Sequence, residues 1–214
     1  MRKDFIFLSA IVILGSISLT NAAVAPIGPF IGEFSEGFET APFGQFVSQI
    51  EVFDEEAIAK NLDGGPYLNV TGGWSSQDTG DRVIPHSGSR FIGSTYKGVE
   101  WIFDIPAVRF GGYFTTLNLG VNFEGAIANF FDVEDNTLGH MDVTAPYNSR
   151  WTWNGWMSDV PIKRVEIIGM GFPDWDNLGG FVMHDDMEYT PVPEPGTLLL
   201  IGLGGLVSLR KRRT

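Results

Sequence analysis

The sequence predicts an all-β domain, an antiparallel β-sandwich of jelly-roll type, flanked by an N-terminal signal helix and a short C-terminal apolar helix. Two observations carry the sandwich. Glycine (27 residues) and proline (12) cut the chain into short apolar stretches separated by turn signals. Within those stretches apolar and polar residues alternate at period two, the spacing of a half-buried strand. A third observation bounds the class: 43% apolar against 19% charged residues supports a real core and excludes a disordered chain. The 214 residues suit one domain with a short segment at each end, divided as 1–22, 23–190 (the sandwich) and 191–214.

The elements follow in order. Residues 54–62 are the one internal stretch that reads as a short helix. Residues 99–105 alternate cleanly, and 108–119 continue as a strand interrupted by Gly111 and Gly112, a bulge or bend signal. Stretches 126–133 and 138–143 flank Glu134, Asp135, Asn136 and Thr137 as the two arms of a hairpin. Asn154-Gly155 is the strongest short hairpin-turn signal, and it would make Trp153 and Trp156 a cross-strand pair. Strands at 165–168 and 180–183 close the domain.

There is no cysteine, so disulfides, thiol nucleophiles and cysteine-based zinc sites are excluded. The net charge is −12, from 14 basic and 26 acidic residues. Setting aside 1–22 and 196–214 removes six basic residues and one acidic one. The remaining eight basic and 25 acidic residues give 23–195 a charge of −17. A surface of that sign repels phosphates, so nucleic acid is not an expected partner.

Both ends carry addresses. Arg2 and Lys3 precede an apolar run over 5–19 and the small residues around Ala22, the order of a secretory signal peptide cut after Ala22. The other end reads Pro193-Glu194-Pro195, then an apolar run over 197–209, then Arg210, Lys211, Arg212 and Arg213. As a helix the run spans only about 20 Å of a roughly 30 Å hydrocarbon layer. Its basic end places the C-terminus on the cytoplasmic side.

Motif, run and bases in this order resemble the PEP-CTERM sorting signal of bacterial exported proteins. The resemblance implies passage through the secretion machinery, transient residence in the inner membrane through the C-terminal helix, and recognition by an exosortase-type transpeptidase. It also implies cleavage near Pro195 and transfer to the cell envelope or extracellular matrix. Shorter strings, among them Ser87-Gly88-Ser89-Arg90 and Asp185-Asp186, resemble the jelly-roll domains that such proteins often carry.

Two groups of residues are candidates for binding. Asp174, Asp176 and Asn177 in one loop and Asp185 and Asp186 on the next strand offer the oxygen ligands that Ca²⁺ takes, with Glu39 added if the first and last strands are neighbours. The competing reading is a solvated acidic loop. Trp74, Trp151, Trp153, Trp156 and Trp175 could stack on sugar rings, although tryptophan is more often core. His86, His140 and His184 belong to no catalytic motif. The sequence therefore predicts a non-enzymatic surface or matrix protein that interacts with exopolysaccharide. A polysaccharide lyase or glycosidase and a self-assembling surface component are the alternatives.

Overall fold

A computed structural model describes residues 24–76, 79–94, 97–117, 125–170 and 181–193. The signal peptide and the apolar tail lie outside the described residues. In chain order the strands are β1 (Ala25–Ile27), β2 (Phe34–Glu36), β3 (Phe46–Val47), β4 (Gln49–Val52), β5 (Ala57–Asn61), β6 (Leu68–Thr71) and β7 (Trp74–Ser75). They continue with β8 (Arg82–Val83), β9 (Phe91–Ser94), β10 (Val99–Thr116), β11 (Ala126–Phe131), β12 (Thr137–Val143), β13 (Thr152–Gly169) and β14 (Val182–Pro191). All pairings among these strands are antiparallel. The described chain is thus all-β, as the alternation predicts.

Two 18-residue strands, β10 and β13, are shared by both layers. The first half of β10 pairs with β5 on one side and with the second half of β13 on the other, and β13 passes this layer on to β11 and β12. The second half of β10 pairs with the first half of β13 and with β14; β1, β2, β9, β6 and β3 complete this second layer. The switch occurs where the β10–β13 register slips, between Ile102 and Arg109, with Pro106 and Pro161 at the slip. Strands that change sheets at a bulge make the corners of a sandwich. The carbonyls freed there are satisfied: Lys163 Nζ donates to Phe103 O and, at 3.1 Å, to Asp104 O, and the Tyr189 hydroxyl donates to Ile105 O.

The core lies between the layers. Trp101 and Phe103 from the first layer meet Phe110, His184 and Tyr189 from the second, at ring separations of 4.8–5.7 Å. Trp156 points inward too, packed on Phe130 at 5.3 Å and Phe114 at 5.9 Å, and is only 2% exposed.

Two sequence expectations are corrected. Residues 54–62 are not helical; they form the turn and second arm of the β4–β5 hairpin, with Ala57, Ala59 and Asn61 facing inward. Glutamate, alanine and lysine favour helix in isolation, but burial on alternate positions overrides that preference. Asn154-Gly155 is not a turn either, because β13 runs straight through it. The Asn154 side chain instead accepts from Thr144 N and donates to Thr144 O, which ties the strand to its flanking segment. The expected hairpin over 126–143 is present as β11 and β12.

Candidate functional site

The outer face of the second layer carries a ladder of rings. Odd-numbered residues of β10 and β13 point outward there, so Tyr113 and Trp153, directly paired across the strands, lie side by side at 5.4 Å. Phe30 stands edge-on to Trp153 at 5.6 Å. On the other side His86 stacks flat on Tyr113, with ring centres 3.7 Å apart and planes 15° apart. Trp151 meets His86 at 6.3 Å and Phe91 at 5.7 Å. Beyond Phe91 the layer continues to Trp74, which contacts Phe181 at 5.7 Å and the exposed Phe46 at 6.5 Å.

Glycine makes room for the ladder. Gly111 and Gly155 are cross-strand partners beneath Trp153. A β-carbon at Gly155 would approach Trp153 Nε1 to 2.7 Å, and one at Gly111 would approach its ring to 3.0 Å. The indoles are also pinned at their polar edges: Trp153 Nε1 donates to Ile27 O at 3.2 Å and Trp151 Nε1 to Ile84 O at 2.9 Å. Held at one edge and half-exposed, Trp151 and Trp153 are pre-positioned stacking surfaces.

The loop that delivers His86 is gripped by three carboxylates. Asp185 Oδ2 accepts from His86 N (2.7 Å) and Ser87 N (3.3 Å). Asp186 accepts from Ser87 Oγ (2.7 Å) and lies 2.6 Å from His86 Nδ1. Glu39 accepts from Ser89 N and Ser89 Oγ, both at 2.6 Å, and from Arg90 N at 3.1 Å. The Ser89 hydroxyl, foremost, holds the Glu39 carboxyl below its ordinary range. Asp185 is fully buried; desolvation, with the charge of Asp186 second, pushes it up to about 7 against the pull of the backbone N–H groups.

The first strand, β1, pairs with β13 rather than with the last strand, but the second, β2, does neighbour β14. That brings Glu39, Asp185 and Asp186 to the same loop, but their oxygens face its N–H and O–H donors rather than a common centre. Among the described residues no three acidic or histidine side chains converge as metal ligands. Asp174, Asp176 and Asn177 lie outside the described residues, as does Trp175.

Gly88 shows how tight the grip is. It has φ +57°, and a β-carbon there would come within 2.3 Å of Glu39 Oε1. Gly88→Ala is expected to cost about 1–2 kcal/mol in denaturant unfolding. A loss below about 0.5 kcal/mol would show that the loop has slack.

Of the other proposed stacking residues, Trp74 sits half-buried at the far end of the ladder and Trp156 is core. Trp156 falls on the inward face because β13 does not turn at Asn154-Gly155. The rings that the sequence reading missed are His86, Tyr113 and Phe30, which come from three distant segments. A groove of about 520 Å³ beside the β4–β5 hairpin, lined by Glu36, Thr40, Gln49, Glu51, Asp54 and Glu55 among others, offers no aromatic surface. His140 lies exposed on β12 and His184 is in the core, so the three histidines do not meet.

Set against known proteins, the C-terminal segment matches the PEP-CTERM protein-sorting motif over residues 191–213. The chain thus carries a PEP-CTERM sorting motif behind an antiparallel β-sandwich domain. The motif marks it for export across the membrane and for exosortase processing. Pro193 is the last described residue; Glu194, Pro195 and Arg210 to Arg213 lie outside the described residues. No curated protein matches the chain. Solved structures similar to it include the CBM22-1 xylan-binding domain of Xyn10C from Paenibacillus barcinonensis, at 13% identity, TM-score 0.38, and 78% of this chain against 100% of that one. CsCBM6-3 from Clostridium stercorarium, solved with cellobiose, is similar at 13% identity, TM-score 0.36, and 71% against 99%. A family 6 carbohydrate-binding module is similar at 13% identity, TM-score 0.35, and 69% against 95%.

Proposed function

We propose that the exported domain is a non-enzymatic carbohydrate-binding protein of the cell surface or extracellular matrix, and that it holds exopolysaccharide on the outer-face ladder. The observation that carries this reading is the pair of edge-pinned, half-exposed indoles, Trp151 and Trp153, joined by Tyr113 and His86. Aromatic faces bind the apolar faces of sugar rings by burying area, and they do so best when fixed in advance. Sorting by the C-terminal motif would deliver such a domain to the compartment where exopolysaccharide accumulates.

The test is affinity electrophoresis and calorimetry of the exported protein on a panel of neutral and acidic polysaccharides. Trp153→Ala should lower affinity for the bound polymer by about tenfold or more. Trp74→Ala, at the far end, should have a smaller effect. Absence of binding across the panel, or full affinity in Trp153→Ala, would overturn the reading.

A further inference from the structure

The outer face of the second layer carries a second group of rings, and the strand register places it in line with the first. Met183 pairs with Thr115 on β10 and with Gly93 on β9; Gly93 pairs with Asn69 on β6, and Asn69 with Phe46 on β3. Directly opposed residues share a face, so these residues form one straight rung across the sheet. Met183 belongs to the small cluster outside the main core, whereas its neighbours Val182 and His184 turn inward, so the rung faces out. Phe114 pairs with Thr152, and Trp151, one step on, therefore stands at the β13 end of the same rung.

At the β3 end the rung finishes in aromatic surface. Phe46 is 52% exposed and meets Trp74 edge to face at 6.5 Å. It belongs to neither buried cluster among the described residues, so core packing does not account for a phenyl ring at this edge. Trp74 is seated as Trp153 is. A β-carbon at Gly93 would approach its ring to 3.0 Å, so glycine makes room for an indole at both ends of the face. Phe181 braces Trp74 edge-on at 5.7 Å.

The β7–β8 hairpin covers the stretch between the two groups. Trp74 and Val83 are paired across it and pack with Met183 and Phe91 of the sheet below. The next residue, Ile84, is 48% exposed, and its carbonyl holds the Trp151 indole. Apolar surface therefore continues from Trp151 through Ile84 and Trp74 to Phe46. From β13 to β3 the rung crosses β10, β14, β9 and β6. At about 4.8 Å between neighbouring strands its ends are roughly 24 Å apart, further than a trisaccharide reaches.

We propose that Trp74 and Phe46 form a second stacking station for the polysaccharide held by Trp151 and Trp153, and that the ligand is an internal stretch of a long chain laid across the strands. A chain end, or a di- or trisaccharide, fills one station only. A chain that reaches both makes its second contact intramolecularly, without a second loss of translational freedom. This rests on the carbohydrate-binding reading above and names the form of polymer that the same face takes.

The exported protein is titrated with the di- to octasaccharides and the parent polymers of xylan, laminarin, dextran and polygalacturonate. In the series that binds, affinity should keep rising beyond the trisaccharide, and the octasaccharide should bind about tenfold or more tighter. Phe46→Ala and Trp74→Ala should each weaken octasaccharide binding several-fold and leave trisaccharide binding unchanged. Trp153→Ala should weaken both. Circular dichroism and thermal midpoints check the fold of each variant, and Phe46, being exposed, keeps the test open if Trp74→Ala is unstable. Affinity already complete at the trisaccharide, or octasaccharide binding indifferent to Phe46→Ala and Trp74→Ala, overturns the second station and leaves carbohydrate binding on the ladder standing. An equal loss for tri- and octasaccharide in Phe46→Ala overturns it as well. Absence of binding to every series and to the wider panel removes both readings together.

Discussion

Glu36→Ala should lower the free energy of unfolding by about 3 kcal/mol, the largest loss we expect from any exposed-edge substitution in the domain. One oxygen of Glu36 accepts from Phe38 N at 2.6 Å and the other from Phe53 N at 3.1 Å. Both phenylalanines have left-handed backbone, with φ of 60° and 56°, and Asp54 and Glu55 continue that conformation at 56° and 74°. Such geometry costs on the order of 1 kcal/mol or more for each non-glycine residue. It persists because both rings are buried, tilted against Trp101 at 6.3 and 5.9 Å. Removing the carboxylate leaves two part-buried N–H groups without an acceptor at the points where the chain is already strained. Glu36→Gln keeps one good acceptor and turns an NH₂ toward the other N–H, so its loss should be roughly half as large. Denaturant midpoints at unchanged slope measure both. A loss below about 1 kcal/mol in the alanine variant would mean that ring burial alone holds the two turns.

The second large effect is a hidden pH dependence. His184 is fully buried between Trp101 and Phe114, and neither ring nitrogen has a hydrogen-bond partner among the described residues. Desolvation drives its pKa down to about 3. Its neighbour Asp185 is pushed up to about 7, chiefly by burial. The folded protein therefore holds both groups neutral at pH 5, whereas the unfolded chain has His184 protonated and Asp185 ionised. Unfolding then takes up one proton and releases one. For the depressed histidine, stability is complete above the unfolded value near 6.5 and is lost as pH falls toward 3. For the raised carboxyl, stability is greatest below the unfolded value near 3.8 and is lost as pH rises through 7.

The two slopes cancel between about pH 4 and 6.5, and each single substitution exposes the other. Relative to the parent, His184→Leu should lose stability as pH rises across that window, and Asp185→Asn should gain it. Each change amounts to about 3 kcal/mol over the window, at roughly 1.4 kcal/mol per pH unit for one proton. Taking the difference from the parent at each pH removes the background of the other carboxylates. Parallel profiles for parent and variants would show that these two residues do not titrate on unfolding.

Part of the architecture was legible from period-two alternation, which survives in the buried–intermediate pattern of β11, whereas the same pattern in β5 reads as a helix in the sequence. What misled was local chemistry used for a non-local purpose. Gly155 looks like half of a turn, yet it serves as the seat of an indole two residues away. Asn154 looks like the other half and bonds instead to Thr144. At Gly111 and Gly112 the expected irregularity is present on the β14 side, where the register slips between Gly111 and Tyr113, but Gly112 is also required because a β-carbon there would meet Met187 Sδ at 2.2 Å. In the site, Trp151 and Trp153 could be read as sharing a face because they are two apart. His86, Tyr113 and Phe30 could not be joined to them, since their meeting depends on pairings between segments tens of residues apart. The acidic residues could be seen as a group. Their task of gripping a loop emerges only from the fold, which turns the loop's N–H groups toward their oxygens.

The placement of β14 has a mechanical consequence. The chain leaves the sandwich toward its sorting motif directly from this strand, which lies between β10 on one side and β9 and β2 on the other. Val192 N still bonds to Pro106 O at 2.8 Å just beyond the strand. Tension applied to the segment after Pro193 therefore pulls along the strand axis and loads the ladders on both flanks in shear, so many hydrogen bonds must yield together. An edge strand pulled crosswise would release them singly, like a zipper. A domain tethered through this end would resist being dragged open by whatever polymer it holds.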